Sequence, residues 1–287
     1  MSKLPDNQKI ILTNIPGSHD STAYYIKSYG SVFAQTQTLT IEEQLKIGIR
    51  QFDIRVRENS YVSKLVCCSI NGNEAENCND LICNHGIFNC FQDPKLNKYI
   101  TYKKVLETLK KFLIENPSEF IIIRTNCNLG DKQKILRRAK EIFFYILDNV
   151  IQFDKKLTIG EVRSKIVYDV YVGTDLENVH KNYVNYEVFK VSGELKIKEL
   201  EIFFKSCIYS YEEAEQSSED LFPYMYEISC TGEFDDIVPL PKKHADKVNA
   251  FIINYNLIKG FIYGWISFDF AEKDIVRKII ETNKYYE

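Results

Sequence analysis

Short apolar segments rich in β-branched and aromatic residues recur along the whole chain, and this pattern predicts β-strands. Several segments are apolar at nearly every position, which is typical of strands buried on both faces of a parallel sheet. The predicted strands are Lys9–Ile15, Gln51–Val56, Leu81–Cys83, Glu119–Thr125, Lys165–Val172, Met225–Cys230 and Tyr263–Phe270.

Helical periodicity fills the intervals between these strands. The clearest helix carries Val105, Leu109 and Leu113 on one face, and it ends at Asn116 because Pro117 cannot continue the turn. Strand and helix alternate from end to end without a Gly-, Pro- or Ser-rich linker, which predicts an α/β protein built as a single β/α barrel. We therefore predict one domain over residues 1–287, with residues 1–8 as a flexible tail. Three further helices are predicted at 132–147, 194–206 and 242–256.

The charge balance excludes some partners. Lys and Arg total 37 against 40 Asp and Glu, for a net charge of −3, whereas a nucleic-acid-binding protein normally carries a basic surface. No window approaches the roughly 18 consecutive apolar residues of a membrane span, so we expect a soluble protein. The polar start, Met1–Gln8, has no apolar signal-peptide core behind it. The protein is therefore either intracellular or secreted with its signal already removed.

Five of the eight cysteines cluster in one stretch of the chain. Their spacing lacks the paired C-x-x-C of a zinc ribbon, and His85 is the one histidine beside them, which disfavours structural zinc. Disulfides that pin an inserted loop and reduced buried thiols both stay open. The clustered residues are Cys67, Cys68, Cys78, Cys83 and Cys90.

Polar residues that could act in catalysis or binding lie at or just after the ends of four predicted strands. The C-terminal ends of barrel strands meet at one mouth, where barrel enzymes carry their chemistry, so we expect these residues to converge. Asp53 and Arg55 are two positions apart on a strand and therefore point to the same side, where a structural salt bridge is the alternative role. The expected cluster is His19, Asp20, Asp53, Arg55, His85 and Asp269.

Two histidines and a fixed cation suit the cleavage of a phosphodiester without a metal ion. A neutral imidazole removes the proton of the attacking hydroxyl, an imidazolium protonates the leaving oxygen, and a guanidinium takes the charge that develops on the phosphoryl oxygens. A carboxylate bonded to a histidine fixes its tautomer, and Asp20 and Asp269 are the candidates. We expect no cofactor and no metal.

The order and spacing of five separated motifs resemble the X domain of phosphatidylinositol-specific phospholipase C, over roughly residues 10–285. The last motif is similar to that of the single-domain bacterial enzymes. The motifs are Ile15-Pro16-Gly17-Ser18-His19-Asp20-Ser21, Gly48-Ile49-Arg50-Gln51-Phe52-Asp53-Ile54-Arg55, His85-Gly86, Asn116-Pro117-Ser118-Glu119 and Gly264-Trp265-Ile266-Ser267-Phe268-Asp269-Phe270.

This resemblance implies an irregular TIM-type barrel that cleaves phosphatidylinositol to diacylglycerol and inositol 1,2-cyclic phosphate. It implies that His19, oriented by Asp269, is the general base and that His85, assisted by Asp20, is the general acid. Arg55 would hold the phosphate, with Asp53 hydrogen-bonded at the same site. In the animal relatives a calcium ion does the work of this arginine, so the chain is expected to be calcium-independent.

The headgroup contacts depart from the bacterial pattern. Asn126 stands where those enzymes have an inositol-contacting lysine, and the segment Asp169–Tyr171 stands where they have an arginine. Glu187 and Phe189 are the counterparts of an inositol-binding aspartate and a stacking tyrosine. The loss of two basic contacts leaves plain phosphatidylinositol and a glycosylated form both open as substrates.

A membrane surface is the expected partner. Membrane contact in the family uses exposed apolar residues at the barrel rim, and Tyr24, Tyr25 and Phe33 lie at the matching place; an aromatic core stripe is the alternative. The insert between Arg55 and His85 is expected near the mouth. No protein partner is predicted, and the protein is expected to be a monomer.

Two other functions remain as alternatives. A metal-dependent barrel of the glycerophosphodiesterase or sphingomyelinase D kind also pairs two histidines, but an arginine at position 55 opposes a divalent cation there. An inositol-lipid binding module would keep the barrel without turnover.

Overall fold

The fold was analysed in a computed structural model of the chain. It describes residues 1, 3–27, 30–59, 80–93, 95, 98–127, 129–168, 185–188, 193–206, 209–216, 224–228 and 240–286.

Parallel strands form the central sheet, two short antiparallel strands extend it at one place, and two further short strands form a separate sheet. The strands are β1 (Ile15–Ser18), β2 (Gln51–Glu58), β3 (Leu81–His85), β4 (Phe88–Asn89), β5 (Phe91–Asp93), β6 (Lys98–Tyr99), β7 (Ile121–Asn126), β8 (Val150–Gln152), β9 (Ile166–Tyr168), β10 (Asn185–Val188), β11 (Tyr224–Ile228) and β12 (Trp265–Phe268).

Helices cover the outer face of this sheet, as the periodicity predicted. The predicted end at Asn116 is confirmed, since the helix there stops at Glu115. The helices are α1 (Gly30–Ala34), α2 (Ile41–Ile47), α3 (Tyr102–Glu115), α4 (Lys132–Ile146), α5 (Ile159–Val162), α6 (Gly193–Ser206), α7 (Tyr211–Gln216), α8 (Pro241–Asn254) and α9 (Lys273–Glu281). None of them, within the described residues, is long and apolar enough to cross a bilayer.

The parallel strands follow the order β10-β11-β12-β1-β2-β7-β9-β8. Strands β1 and β12, the first and last of the twelve, pair side by side from Ile15 with Trp265 to Ser18 with Phe268. This arrangement confirms the α/β fold that the pattern predicted and the irregular TIM type that the resemblance implied. Among the described residues, no ladder joins β8 to β10, so the described strands leave the barrel open between these two.

The interior of the barrel changes from apolar to polar along the strands. Ile15, Phe120, Ile122 and Trp265 pack together at the N-terminal ends, whereas Asp53 and Asp269 are buried at the C-terminal ends. Alternate residues point outward and pack against the helices. The apolar layer makes the lower barrel a solid core, so polar chemistry is confined to the upper mouth.

Gly17 allows β1 to approach its two neighbours closely. A Cβ atom at this position would lie 2.4 Å from Ser267 Oγ and 2.7 Å from Gln51 Oε1. Any side chain here would therefore displace the side chains of Ser267 and Gln51 on the two flanking strands.

Two sequence predictions about the N-terminal region are wrong. Ile10–Leu12 forms a short 3-10 helix rather than a strand, because the Gln8 side chain donates to the carbonyl of Leu12 and to Thr13 Oγ1 and closes a turn. Residues 1–8 are not a flexible tail in the described region. Leu4 is buried, and its carbonyl accepts a hydrogen bond of 2.7 Å from Arg163 Nη2.

The third predicted strand is not a barrel strand. Strand β3 runs antiparallel to β2, with Val56 opposite Cys83, and continues through a turn at Gly86 into β4. Gly86 has a φ of 55°, which glycine adopts without a Cβ penalty. This hairpin returns the chain toward the mouth, and strands β8 and β10, which the sequence analysis missed, complete the order.

Candidate active site

The loop after β1 holds His19 at the centre of the mouth. Its backbone N–H donates to Phe268 O at 3.2 Å, which extends the β1–β12 pairing by one residue. Nδ1 lies 2.7 Å from Asp269 Oδ1, and both side chains are buried. With Asp269 ionised, Nδ1–H donates to the carboxylate, so Nε2 carries the lone pair and faces the cleft.

Sharp turns place the two carboxylates that flank His19. Asp20 has a φ of 41° and Phe270, directly after Asp269, has a φ of 51°, both in the left-handed region that few non-glycine residues adopt. Asn249 Nδ2 donates to the carbonyls of Asp269 and Phe270 at 3.0 and 3.2 Å. Such strained positions are characteristic of functional sites held by their surroundings.

Arg55 contacts three of the predicted site residues. Its Nε lies 2.5 Å from Asp20 Oδ1, and its Nη2 donates to Asp53 Oδ2 at 3.4 Å. The same Nη2 lies 2.7 Å from His19 Nε2. The guanidinium therefore covers the nitrogen that carries the lone pair.

His85 approaches the same cleft from the β3–β4 hairpin. Its Nδ1 donates to Ala34 O at 2.6 Å, and its Nε2 lies 3.2 Å from Asp20 Oδ2. The Nε2 of His19 lies 3.5 Å from this same Asp20 oxygen, and the two rings are 6.4 Å apart between centroids. Nδ1 of His85 thus donates to a carbonyl oxygen and Nε2 lies within ion-pair distance of a carboxylate, an arrangement that suits a protonated ring.

The six residues predicted for the cluster thus lie together, although β3 has an unexpected direction. The sequence analysis missed the side chains that support them. Gln37 Nε2 donates to His19 O at 2.9 Å and to Phe268 O at 3.1 Å, while Gln37 Oε1 accepts from Ala271 N. Ser21 Oγ accepts from Asp53 N at 2.9 Å. No local signal identifies Gln37, because its partners are far along the chain.

Arg124 was also missed. It is a cation within the apolar strand β7, and its Nε lies 3.9 Å from Asp53 Oδ1. A charged residue inside a strand buried on both faces is costly unless it is paired. That cost is the sequence signal that could have identified this residue.

His19, Asp20 and Asp53 also form a group whose ligand atoms lie within 4.8 Å of one another, a spacing that a metal ion could use. The residues present do not fit a cation there. Arg55 is within 3.4 Å of a side-chain atom of each, so its positive charge occupies the place where a cation would bind.

The predicted headgroup contacts are described only in part. Asn126 is half-buried at the end of β7 and is the register partner of Arg55, with its Oδ1 accepting from Cys127 N at 2.8 Å. Glu187 lies in β10, but its side chain lies outside the described part of the structure. Asp169 and Phe189 lie outside the described residues altogether.

The predicted membrane contacts divide by exposure. Tyr24 is buried in the main core, only 6% exposed, so its prediction as a membrane contact is wrong: the ring packs inward. Tyr25 is exposed and Phe33 is half-buried. Two exposed apolar side chains accompany them at the mouth, Val32 at 53% on α1 and Ile87 at 70% on the β3–β4 turn.

The described cysteines of the cluster are Cys83 and Cys90, both buried and unlinked, as is Cys127 elsewhere. Burial raises the pKa of the Cys90 thiol above its usual range, and the nearby Asp20 carboxylate raises it further. Burial also raises the pKa of Cys83. Both thiols therefore stay protonated and unreactive. Cys67, Cys68 and Cys78 lie outside the described residues.

Comparison with known proteins shows the family to which the chain is related. Residues 13–169, more than half of the chain, match the family described as phosphatidylinositol-specific phospholipase C, X domain. A 1-phosphatidylinositol phosphodiesterase of Listeria monocytogenes is 26% identical over 311 aligned positions, which cover 99% of this chain and 84% of that protein. One from Staphylococcus aureus is 29% identical, over 58% of this chain and 48% of its own length.

Solved structures agree with this architecture. The phosphatidylinositol-specific phospholipase C of Listeria monocytogenes superposes with a TM-score of 0.68 at 25% identity, covering 99% of this chain and 97% of that one. A Staphylococcus aureus structure from work on membrane binding of the enzyme has a TM-score of 0.70 at 22% identity, covering 99% and 96%. The second likeness concerns the fold alone.

Proposed function

The chain belongs to the X-domain family of phosphatidylinositol-specific phospholipase C, and on that premise we propose how it acts. It is a phospholipase C that cleaves phosphatidylinositol. The proposed products are diacylglycerol and inositol 1,2-cyclic phosphate, and the proposed reaction uses two histidines and an arginine without a metal ion. We also propose that residues 1–287 form one barrel domain.

The contact between Arg55 Nη2 and His19 Nε2 carries the proposal. A guanidinium at 2.7 Å from the lone pair of a base, itself held by a buried carboxylate, is a prepared site for an anion beside a proton acceptor. A phosphate that binds Arg55 draws the guanidinium toward its own oxygens. The substrate therefore uncovers the base as it binds.

His19 then acts as the general base. Its Nε2 takes the proton of the inositol 2-hydroxyl while the oxygen of that hydroxyl forms a bond to phosphorus. Asp269, at 2.7 Å from Nδ1, stabilises the imidazolium that results. Arg55 offsets the negative charge on the phosphoryl oxygens during this step.

His85 acts as the general acid in the same step. Its Nε2 proton moves to the diacylglycerol oxygen as the bond from that oxygen to phosphorus breaks. Asp20, at 3.2 Å from Nε2, holds the protonated ring toward the cleft, and Ala34 O fixes the other nitrogen. The two transfers balance, since one proton is taken and one is given.

Headgroup recognition is proposed for Asn126, which borders Arg55 at the mouth. A neutral amide offers a donor and an acceptor to inositol hydroxyls but adds no charge. Asp169, Glu187 and Phe189 stay predictions for the rest of this contact.

Phosphorus NMR of the purified protein with phosphatidylinositol micelles in excess EDTA tests the reaction. We expect the signal of a five-membered cyclic phosphate to grow without added metal, because Arg55 supplies the positive charge at phosphorus. The matched sample contains calcium in place of EDTA and should show the same rate.

Product that forms only with calcium would overturn the role proposed for Arg55. Lipid binding without product under both conditions would identify a binding module instead of an enzyme.

We further propose that the membrane contacts a rim made of Tyr25, Val32, Phe33 and Ile87, here called the apolar rim. Two hydrogen bonds join its segments: His85 Nδ1 to Ala34 O, and Phe91 N to Tyr25 O at 2.9 Å. The exposed side chains therefore border the cleft that must receive a lipid headgroup. Exposed apolar residues around a site are typical of interfacial binding.

The double variant Val32→Ser with Ile87→Ser should lower partitioning onto phosphatidylinositol-containing vesicles by about tenfold per residue, since each side chain contributes about 1.5 kcal/mol on burial. Cosedimentation measures this loss. Ile114→Ser is the matched control, because Ile114 is also 70% exposed but lies in the last turn of α3, away from the mouth. Equal losses of vesicle binding in the rim variant and the control would contradict the role of the apolar rim. Hydrolysis of soluble inositol cyclic phosphate should not change in either.

A further inference from the structure

Arg124 lies beneath the cleft, in the polar layer between the apolar core and the site. It is 5% exposed and is the register partner of Asp53 on the neighbouring strand. Both side chains point into the barrel, because Arg124 Nε lies 3.9 Å from Asp53 Oδ1. Asn126, two residues later on the same strand, borders Arg55 in the same way.

The two oxygens of Asp53 divide their contacts. Oδ1 faces Arg124, while Oδ2 accepts from Asp20 N at 3.3 Å and from Arg55 Nη2 at 3.4 Å. Asp53 thus holds the turn that presents Asp20 and also touches the cation that must bind phosphate. A carboxylate with no second cation would attract Arg55 more strongly and compete with the substrate phosphate.

We propose that Arg124 is a positioning residue for the phosphate site. It offsets the charge of Asp53 from below, so that Asp53 orients Arg55 and the Asp20 turn without capturing the guanidinium. This inference rests on the proposed function for its kinetic consequence. Arg124 Nε lies 3.9 Å from Asp53 Oδ1, and the inference is that its effect on the reaction passes through that carboxylate.

The long contact between Arg124 and Asp53 indicates that charge matters here more than the planar fork of the guanidinium. Arg124→Lys should therefore still offset most of the charge of Asp53, whereas Arg124→Gln no longer offsets it. Asp53→Asn removes the charge that Arg124 offsets. In that background Arg124→Gln should have little further effect, because residues that act through one another are not additive.

The test compares the wild type with Arg124→Gln, Arg124→Lys, Asp53→Asn and the double variant that combines Arg124→Gln with Asp53→Asn. We expect Arg124→Gln to lower kcat/KM about tenfold through a higher KM and a lower kcat, and Arg124→Lys to recover most of that loss. In the Asp53→Asn background, Arg124→Gln should change kcat/KM less than about twofold. Arg163→Gln, which removes an arginine paired with Asp6 at the other end of the barrel, is the control for general destabilisation.

Titration with inorganic phosphate, followed by phosphorus NMR, reads the Arg55 site without turnover. Weaker phosphate binding in Arg124→Gln, with recovery in Arg124→Lys, would support the inference even if the wild type failed to cleave phosphatidylinositol. The inference would be overturned if Arg124→Gln had the kinetics and the phosphate affinity of the wild type. It would also be overturned if the losses of kcat/KM in Arg124→Gln and Asp53→Asn multiplied in the double variant. A wild type that neither cleaves lipid nor binds phosphate would overturn both this inference and the proposed function.

Discussion

Replacing His19 with glutamine should lower kcat for phosphatidylinositol by about 10⁴-fold, the upper range for loss of a general base. The glutamine amide can still donate to Asp269, which keeps the buried carboxylate 250 positions away hydrogen-bonded. It has no nitrogen that accepts a proton near neutral pH. The fold should therefore survive while proton removal from the 2-hydroxyl is lost. Cyclic phosphate formation by phosphorus NMR measures the rate.

Asp269→Asn tests the His19–Asp269 pair by changing the carboxylate instead of the histidine. The asparagine keeps the size of the side chain but favours the wrong tautomer of His19, so the loss should approach that of His19→Gln, and the double variant should lose little more. Trp265 is the one tryptophan of the chain and is buried in the barrel, so its fluorescence reports whether each variant is folded. Turnover by folded His19→Gln within tenfold of wild type would exclude His19 as the base.

Arg55→Lys should lower kcat by about 100-fold to 1000-fold, the cost of removing a donor that stabilises charge in the transition state. The lysine keeps one positive charge but loses the planar fork, which in the resting site contacts Asp20 through Nε and both His19 and Asp53 through Nη2. A single ammonium cannot bind the phosphoryl oxygens and keep the contact with Asp20. Steady-state kinetics on micelles measure the loss.

Arg57→Lys is the matched control for this prediction. Arg57 lies two positions later on the same face of β2, and its Nη2 donates to Asn89 Oδ1 rather than to a site residue. We expect its kcat to stay within a few-fold of wild type. Equal losses in the two variants would show that β2 tolerates no lysine, and they would remove the argument for a special role of Arg55.

Recovery of Arg55→Lys by millimolar calcium would contradict the metal-independent reaction in another way. The carboxylates of Asp20 and Asp53, freed from the guanidinium, would then act as ligands. We expect no recovery, because the lysine ammonium stays in the cleft and opposes the ion.

Local patterns were sufficient where the decisive interactions are local. Alternation along β2 places Asp53 and Arg55 on one face, and Pro117 ends the helix that leads to β7, so both features followed from neighbouring residues. The apolar strands likewise predicted a sheet buried on both faces. The convergence of His19, Asp20, Asp53, Arg55 and Asp269 also followed, since the strand ends of a barrel share one mouth. His85 reaches the same mouth through the antiparallel β3–β4 hairpin, which the sequence did not predict.

Contacts between distant segments could not be predicted in this way. Tyr24 and Tyr25 are adjacent aromatic residues, yet one is in the core and the other at the surface, because packing by other segments decides which ring is covered. The polar segment Met1–Gln8 looked like a tail, but Arg163 and the segment around Ile159 bind it at the lower end of the barrel. Composition alone does not identify these partners.

The sequence by itself predicted the six polar residues that the structure brings together, and it placed Asp53 and Arg55 on one face of β2, because side-chain alternation acts over a few positions. Only the tertiary structure decided that Arg55 covers His19 Nε2 and that Arg124 lies behind Asp53. These relations join strands that are separated along the chain, and their distances depend on how closely β1, β2, β7 and β12 pack. These contacts are therefore properties of the packed barrel and cannot be predicted from any single segment.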